Sequence, residues 1–366
     1  MECTGVNLDW FFEEWVYGGG EPHYSIRRDS VAGGFQFVIS QIHDTSAIIG
    51  PFKMPMDFKL VYTDGEYSQE RFYVEGLVDT IFVPLDTHHI HDKLAFSLVD
   101  VNREVLSQRT WDRPLDELLS QAHLAVNLMD RMDALEALDY AQFTDELELY
   151  DLFKTAKTRL EKRFIISRFR AVADGLPLWM HDALLDRDHL VRRQALWALD
   201  TIPREYREDV ESMLSDASYV NIALALDALC EAFPDDKQGF IDQVETVDNS
   251  TVKIYGLKHL IEEDTKAVEE LADMCSPAFE FRTRISALSA FESLDKLPES
   301  VVFHAMDAAV HFNSRLARQG QSLLEKNWDE SMQRLCDRHL KKMDLVPWQV
   351  SKWERFLTKM NTPTEE

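Results

Sequence analysis

The sequence predicts a β + α protein in more than one domain: a small antiparallel β-sandwich followed by an all-α, HEAT-like superhelical region, an α-solenoid. Two observations predict it. Between about Ser30 and Arg109 apolar residues alternate with polar ones, the period of a half-buried strand. Beyond "WDRPLDELLSQA" the period changes to 3.6 and similar helices recur every 29–34 residues or so.

The chain opens on "LDWFFEEWVYGGGEPHY", where Leu8, Phe11, Phe12, Trp15 and Val16 fall at helical spacing and Trp10 and Tyr17 widen the apolar face. Gly18-Gly19-Gly20 is expected to end this helix in a left-handed cap, and Pro22 prevents it from resuming. The glycines follow a helix and precede strands, the reverse of a phosphate or dinucleotide loop, so they are expected to form a hinge. In the next region, "FQFVIS", "MDFKLVY", "RFYVEGLV", "TIFVPL" and "KLAFSLVDV" read as strands separated by turns at Gly50-Pro51 and Asp64-Gly65. Six or so such strands suffice for a sandwich of roughly 80 residues.

Five later helices resemble one another: "LVRRQALWALDTI", "YVNIALALDALCEAF", "TVKIYGLKHLIEE", "FRTRISALSAFESL" and "RLARQGQSLLEKN". Each follows a more polar helix, and each carries a small residue near its middle (Ala195, Ala225, Gly256, Ala287, Gly320) where neighbours would approach closely. "DRDHLVRRQALWAL" is similar to a HEAT repeat. The expected divisions are 1–28, a terminal helix and linker; 29–112, the sandwich; 113–360, the helical region; and 361–366, a disordered tail.

With 366 residues, 45% apolar and 28% charged, the chain has the composition of a globular protein. No apolar run reaches the roughly 18–20 residues of a membrane span, and "MECTGVNLDW" has no signal-peptide pattern. The net charge of -26 repels phosphate backbones and anionic lipid, which argues against nucleic-acid or membrane-surface partners. Cys3, Cys230, Cys275 and Cys336 lie far apart with no C-x-x-C pair, so they are expected reduced and buried, as suits the cytoplasm.

Candidate chemistry is sparse. His88, His89 and His91 with Asp92 form the densest histidine cluster, but no second ligand group accompanies them and a solvated loop is the favoured reading. His304, Asp307 and His311 share a helix face that zinc could use, although a half-exposed polar face beside the core is the favoured reading. Neither H-E-x-x-H nor G-x-S-x-G occurs. Cations do recur near the starts of the repeated helices: Arg192 and Arg193, Lys253, Arg282 and Arg284, Arg315 and Arg318. Such a ladder could hold a peptide carboxylate, with Arg192, Arg282, Arg284, Arg315 and Arg318 as candidates; the alternative is that these arginines pair with acids such as Asp186 and Asp188 and staple repeat to repeat.

The opening segment, with "GPFKMPMDFKLVYTDG", "RFYVEGLVDTIFVPLD" and "FSLVDVNREVL", resembles the aminopeptidase N family of gluzincin zinc metallopeptidases, at the end of the catalytic domain and the sandwich after it. A helical, HEAT-like domain follows in that family. The resemblance implies a non-catalytic C-terminal region of a zinc-dependent aminopeptidase that shapes and closes the peptide chamber. Its partners would be the catalytic domain of the same polypeptide and, in the parent, peptide substrate. The family's zinc ligands, general-base glutamate and G-x-M-E-N segment have no counterpart here, so no catalytic or metal-binding residue carries over and zinc is expected only in the parent's catalytic domain. The alternative expectation is a stand-alone, non-catalytic HEAT-type scaffold that binds a protein partner.

Overall fold

The computed structural model describes residues 5, 7–45, 50–86, 94–169 and 177–361. Cys3, the His88, His89, His91 and Asp92 cluster, and 362–366 of the expected tail lie outside the described residues. The chain divides into two compact units, Met1–Met180 and His181–Glu366.

The first unit opens with α1 (Asp9–Phe12), which runs directly into a π-helical turn, Glu13–Tyr17. Gly18 is extended at φ −79°, so the expected left-handed cap is not there. The positive φ of 89° falls at Gly20 instead, where the chain reverses into the first strand.

Among the described residues seven strands follow: β1 (His23–Val31), β2 (Gly34–Gln41), β3 (Met54–Tyr62), β4 (Tyr67–Val74), β5 (Val78–Pro84), β6 (Leu94–Val99) and β7 (Gln108–Trp111). They form two sheets, ordered β5-β2-β1-β7 and β4-β3-β6. β1 starts inside the stretch expected as linker. "RFYVEGLV" is two strands and a turn, because Asp79 accepts the Glu75 and Gly76 N–H groups and turns the chain between β4 and β5. All pairings are antiparallel except β1 with β7, which is parallel from His23↔Gln108 to Ile26↔Trp111. The alternating residues do face inward: Phe37 and Ile39 of β2 meet Met56, Phe58, Leu60 and Tyr62 of β3 in one core.

Helices α2 (Leu115–Leu124), α3 (Leu128–Tyr140), α4 (Glu146–Thr155) and α5 (Arg159–Arg168) belong to this same unit, and the division falls after the first residue of α6 (Met180–Leu184). The compact division therefore falls far beyond 112. Half-buried ion pairs join these helices to the strands. Arg28 of β1 clasps Glu117 of α2 and donates to Ser97 of β6 at 2.7 Å. Arg113 reaches Asp133 of α3 at 3.0 Å, with Arg109 at 3.9 Å. Burial pushes Asp133 up, but Arg113, Arg109 and Arg103 outweigh it and hold the carboxyl below its ordinary range.

The second unit is helical throughout its described residues: α7 (His189–Ala198), α8 (Arg207–Ser212), α9 (Tyr219–Ala232), α10 (Lys237–Val244), α11 (Ser250–Lys258), α12 (Thr265–Met274), α13 (Phe281–Ala290), α14 (Glu299–Ala309), α15 (Ser314–Lys326), α16 (Glu330–Leu340) and α17 (Pro347–Asn361). The five similar sequence segments are α7, α9, α11, α13 and α15, and each packs on the next in that series. Asp188, Asn249, Asp264, Glu280, Asn313 and Asp329 accept N–H groups at the starts of α7, α11, α12, α13, α15 and α16, so these helices have built-in beginnings. Leu271, Leu288, Phe291, Met306, Leu323 and Trp353 lie in one apolar cluster that spans the later helices. No described helix is long and apolar enough to cross a membrane.

Candidate functional site

The candidate arginines divide into two kinds. Arg192 and Arg284 are committed inside the helical unit. Arg192 Nε donates to Asp216 at 2.6 Å, and Nη1 donates to the Asp186 carbonyl at 2.6 Å. Arg284 is 3% exposed; its Nε donates to the Cys275 carbonyl at 2.9 Å and its Nη2 to Asp307 at 2.7 Å. Arg282, Arg315 and Arg318, at the starts of α13 and α15, are exposed. Lys253 pairs with Glu270. The repeated cation therefore has two uses: inward it fastens one turn to the next, and outward it leaves three guanidinium groups in solvent.

Around Arg192 the structure adds residues that the sequence pattern did not single out. Asn221 is fully buried near the start of α9. Its Nδ2 donates to the His189 carbonyl at 2.8 Å and to Asp216 at 3.0 Å, while its Oδ1 accepts from Arg193 Nε at 2.9 Å. Both the Oδ1 and the Nδ2 of Asn221 are thereby satisfied within the protein. The one available signal was an asparagine inside the otherwise apolar run "YVNIALAL".

His304, Asp307 and His311 do not make a metal site. Asp307 is engaged by Arg284, and His311 Nδ1 accepts the Asn313 N–H at 3.1 Å. Among the described residues no group of three His, Cys, Asp or Glu side chains is arranged to hold a metal ion. Burial, then the positive charge of Arg284, holds both imidazoles below their ordinary range, against the pull of Asp307. Because the folded value lies below the unfolded one, the unfolded chain takes up protons first. The contribution of these two imidazoles to stability is complete above about pH 6.5 and falls away as the pH drops below that value and through their lower folded ones. A thermal melt should show a lower midpoint at about pH 5.5 than at about pH 7.5, and His304→Leu should flatten the difference. An unchanged midpoint in the native chain would contradict this.

Cys230, Cys275 and Cys336 are free and buried, and burial pushes their thiols up to about 11, 12 and 12. A thiol that remains protonated at neutral pH is a poor nucleophile.

The opening segment is the most distinctive surface. None of Asp9–Tyr17 is buried. Trp15 sits on Phe52 with ring centroids 5.0 Å apart, and Glu14 accepts the Lys53 N–H at 2.7 Å, so the segment is seated on the residues before β3. Leu8, Phe12, Val16 and Tyr17 are 42%, 45%, 54% and 80% exposed. These four large apolar side chains within ten residues form an outward, apolar face.

No protein-family model matches the sequence, and no curated protein matches it either. Among solved structures the chain is similar to an aminopeptidase A of Legionella pneumophila, crystallised in complex with aspartic acid, at 11% identity and a TM-score of 0.42. The match covers 93% of this chain and 49% of that one, so the chain spans about half the length of that protein. A likeness of that size carries neither fold nor activity across.

Proposed function

We propose that the chain is a non-catalytic region of a zinc-dependent aminopeptidase of the aminopeptidase N family. In this reading α7–α17 form a HEAT-like solenoid that shapes and closes a peptide chamber, β1–β7 form the sandwich that precedes it in the chain, and a separate catalytic domain of the same polypeptide holds the zinc and cleaves N-terminal residues. The observation that carries the reading is the outward aromatic face of Leu8, Phe12, Val16 and Tyr17, anchored at Trp15 and ready to be covered by a neighbouring module. The resemblance of Leu8–Tyr24 to the closing segment of that family's catalytic domain supports it. Arg282, Arg315 and Arg318 meet the peptide's terminal carboxylate, while Arg192 and Arg284 hold the helices beside them. Free, buried thiols suit a cytoplasmic setting.

The purified chain, supplied with zinc, should not hydrolyse aminoacyl-coumarin amides. Zinc-dependent turnover by a homogeneous sample would overturn the reading. A catalytic domain of this family supplied separately should bind the chain, and Phe12→Asp with Val16→Asp should abolish that binding. A self-standing scaffold is the second reading, favoured by an open groove in the helical unit; binding of protein partners but never of such a catalytic domain would select it.

A further inference from the structure

In the second unit three helix ends converge on an open groove of about 720 Å³. That volume lies within the range of pockets that take up a sizeable ligand or the anchoring side chains of a peptide. α10 ends here at Val244, α11 begins at Ser250 and α12 ends at Met274. Val244, Val252 and Met274 supply an apolar floor, and the half-buried Leu257 and Phe279 widen it. Gly256 leaves room at the floor: a Cβ built there meets nothing closer than 3.8 Å.

The rim has one sign of charge. Glu245, Asp248, Glu270 and Asp273 line the groove against a single cation, Lys253, which pairs with Glu270. Glu245, Asp248 and Asp273 are all exposed and give an excess of three negative charges. Backbone dipoles add to it, since the C-terminal ends of α10 and α12 both face the site with partial negative charge. The positive end of α11 does not offset this, because Asn249 already caps it by accepting the Thr251 and Val252 N–H groups.

We propose that this groove binds a peptide segment of a protein partner in which one or two large apolar side chains are flanked by lysine or arginine. The apolar floor takes the anchors, and the carboxylates with the two helix ends take the flanking cations. A second copy of this chain does not fit the same description. Its own outward apolar segment, Leu8–Tyr17, carries Asp9, Glu13 and Glu14 and no lysine or arginine, and the chain as a whole is at -26. Like charges would meet at the rim. The proposal does not rest on the peptidase reading, whose carrying observation is the apolar face at Leu8, Phe12, Val16 and Tyr17.

The test is fluorescence anisotropy on the full chain with a short fluorescein-labelled probe peptide that places leucine and phenylalanine one turn apart between lysines. The probe should bind and release with added salt, as expected when the Debye length contracts below about 10 Å. Replacing its lysines by glutamates should abolish binding. Glu245→Lys with Asp248→Lys and Asp273→Lys changes only exposed side chains and should weaken binding at least about tenfold. Gly256→Leu, which fills the floor, should do the same with unchanged circular dichroism. No binding by the probe, or binding indifferent to the charge reversals, overturns the proposal. Concentration-dependent dimerisation that Gly256→Leu abolishes would also overturn it, by assigning the groove to a second copy.

Discussion

Glu161→Ala is expected to cost about 3–5 kcal/mol, a large part of the 5–15 kcal/mol that holds a typical domain together. Arg131 of α3 and Glu161 of α5 are each 3% exposed, and Arg131 Nε donates to Glu161 Oε1 at 2.6 Å. The same guanidinium donates through Nη1 to the carbonyls of Ala125 and Val126, just after α2. Glu161 in turn accepts from Thr158, the residue that begins α5, in a threonine-to-glutamate capping pattern. One carboxylate thus closes the start of α5, orients a buried arginine and, through it, terminates α2. Removing that carboxylate leaves a positive charge with only carbonyl partners in a dry site, and the loss of solvation is not returned. Chemical denaturation should show the loss. Arg131→Met combined with Glu161→Leu should recover only part of it, since the Val126 carbonyl loses its donor and the Ala125 carbonyl keeps only Lys157 Nζ at 3.4 Å. For contrast, Lys359 and Glu325 pair at 2.7 Å with side chains 64% and 41% exposed. Glu325→Ala should change stability by no more than about 1 kcal/mol. Equal effects at the two sites would refute the burial argument.

The second large effect is expected from a single added methyl group. Gly320 lies in α15 against α14, and a Cβ there would stand 2.5 Å from the Ala305 carbonyl oxygen and 2.7 Å from the Ala309 nitrogen. Both are backbone atoms, so the helices themselves must separate. Gly320→Ala should therefore destabilise the chain by about 1–3 kcal/mol, even though alanine is favoured over glycine in a helix interior by about 1 kcal/mol. Gly256, which occupies the matching place in α11, has its nearest atom at 3.8 Å. Gly256→Ala should be neutral or stabilising by up to about 1 kcal/mol. Opposite signs at two equivalent positions are the result to look for; a stabilising Gly320→Ala would show that α14 and α15 can part at little cost.

Much of this arrangement is legible in the residue order. The alternation in β2 and β3 named the inward side chains. Of the small residues that recur in the middle of α7, α9, α11, α13 and α15, Gly320 does mark a close helix approach, whereas Gly256 does not. Local signals stop where partners are distant in the chain. Nothing in "QRTW" announces a parallel pairing with β1, because the register is set by residues at the opposite end of the β region. Change of period marks where helices begin, whereas the half-buried pairs Arg28–Glu117 and Arg113–Asp133 join residues that lie far apart in the chain and share no local signal. Among the candidate arginines, spacing alone could not separate Arg284, turned inward to Asp307, from Arg282, two residues away in solvent. The groove beside α11 is built from the ends of three helices and leaves no motif.

The parallel β1–β7 pairing also imposes an order of events on a chain made from its amino end. β1 can match with β2 early, through the tight turn at Gly33, but its other edge stays bare until Gln108–Trp111 has been synthesised. Until then a row of unsatisfied backbone donors and acceptors is open to any passing strand. The last β-strand to be synthesised is therefore a guard against misassociation, and a nascent chain stalled before it should be far more prone to aggregate than one stalled just after.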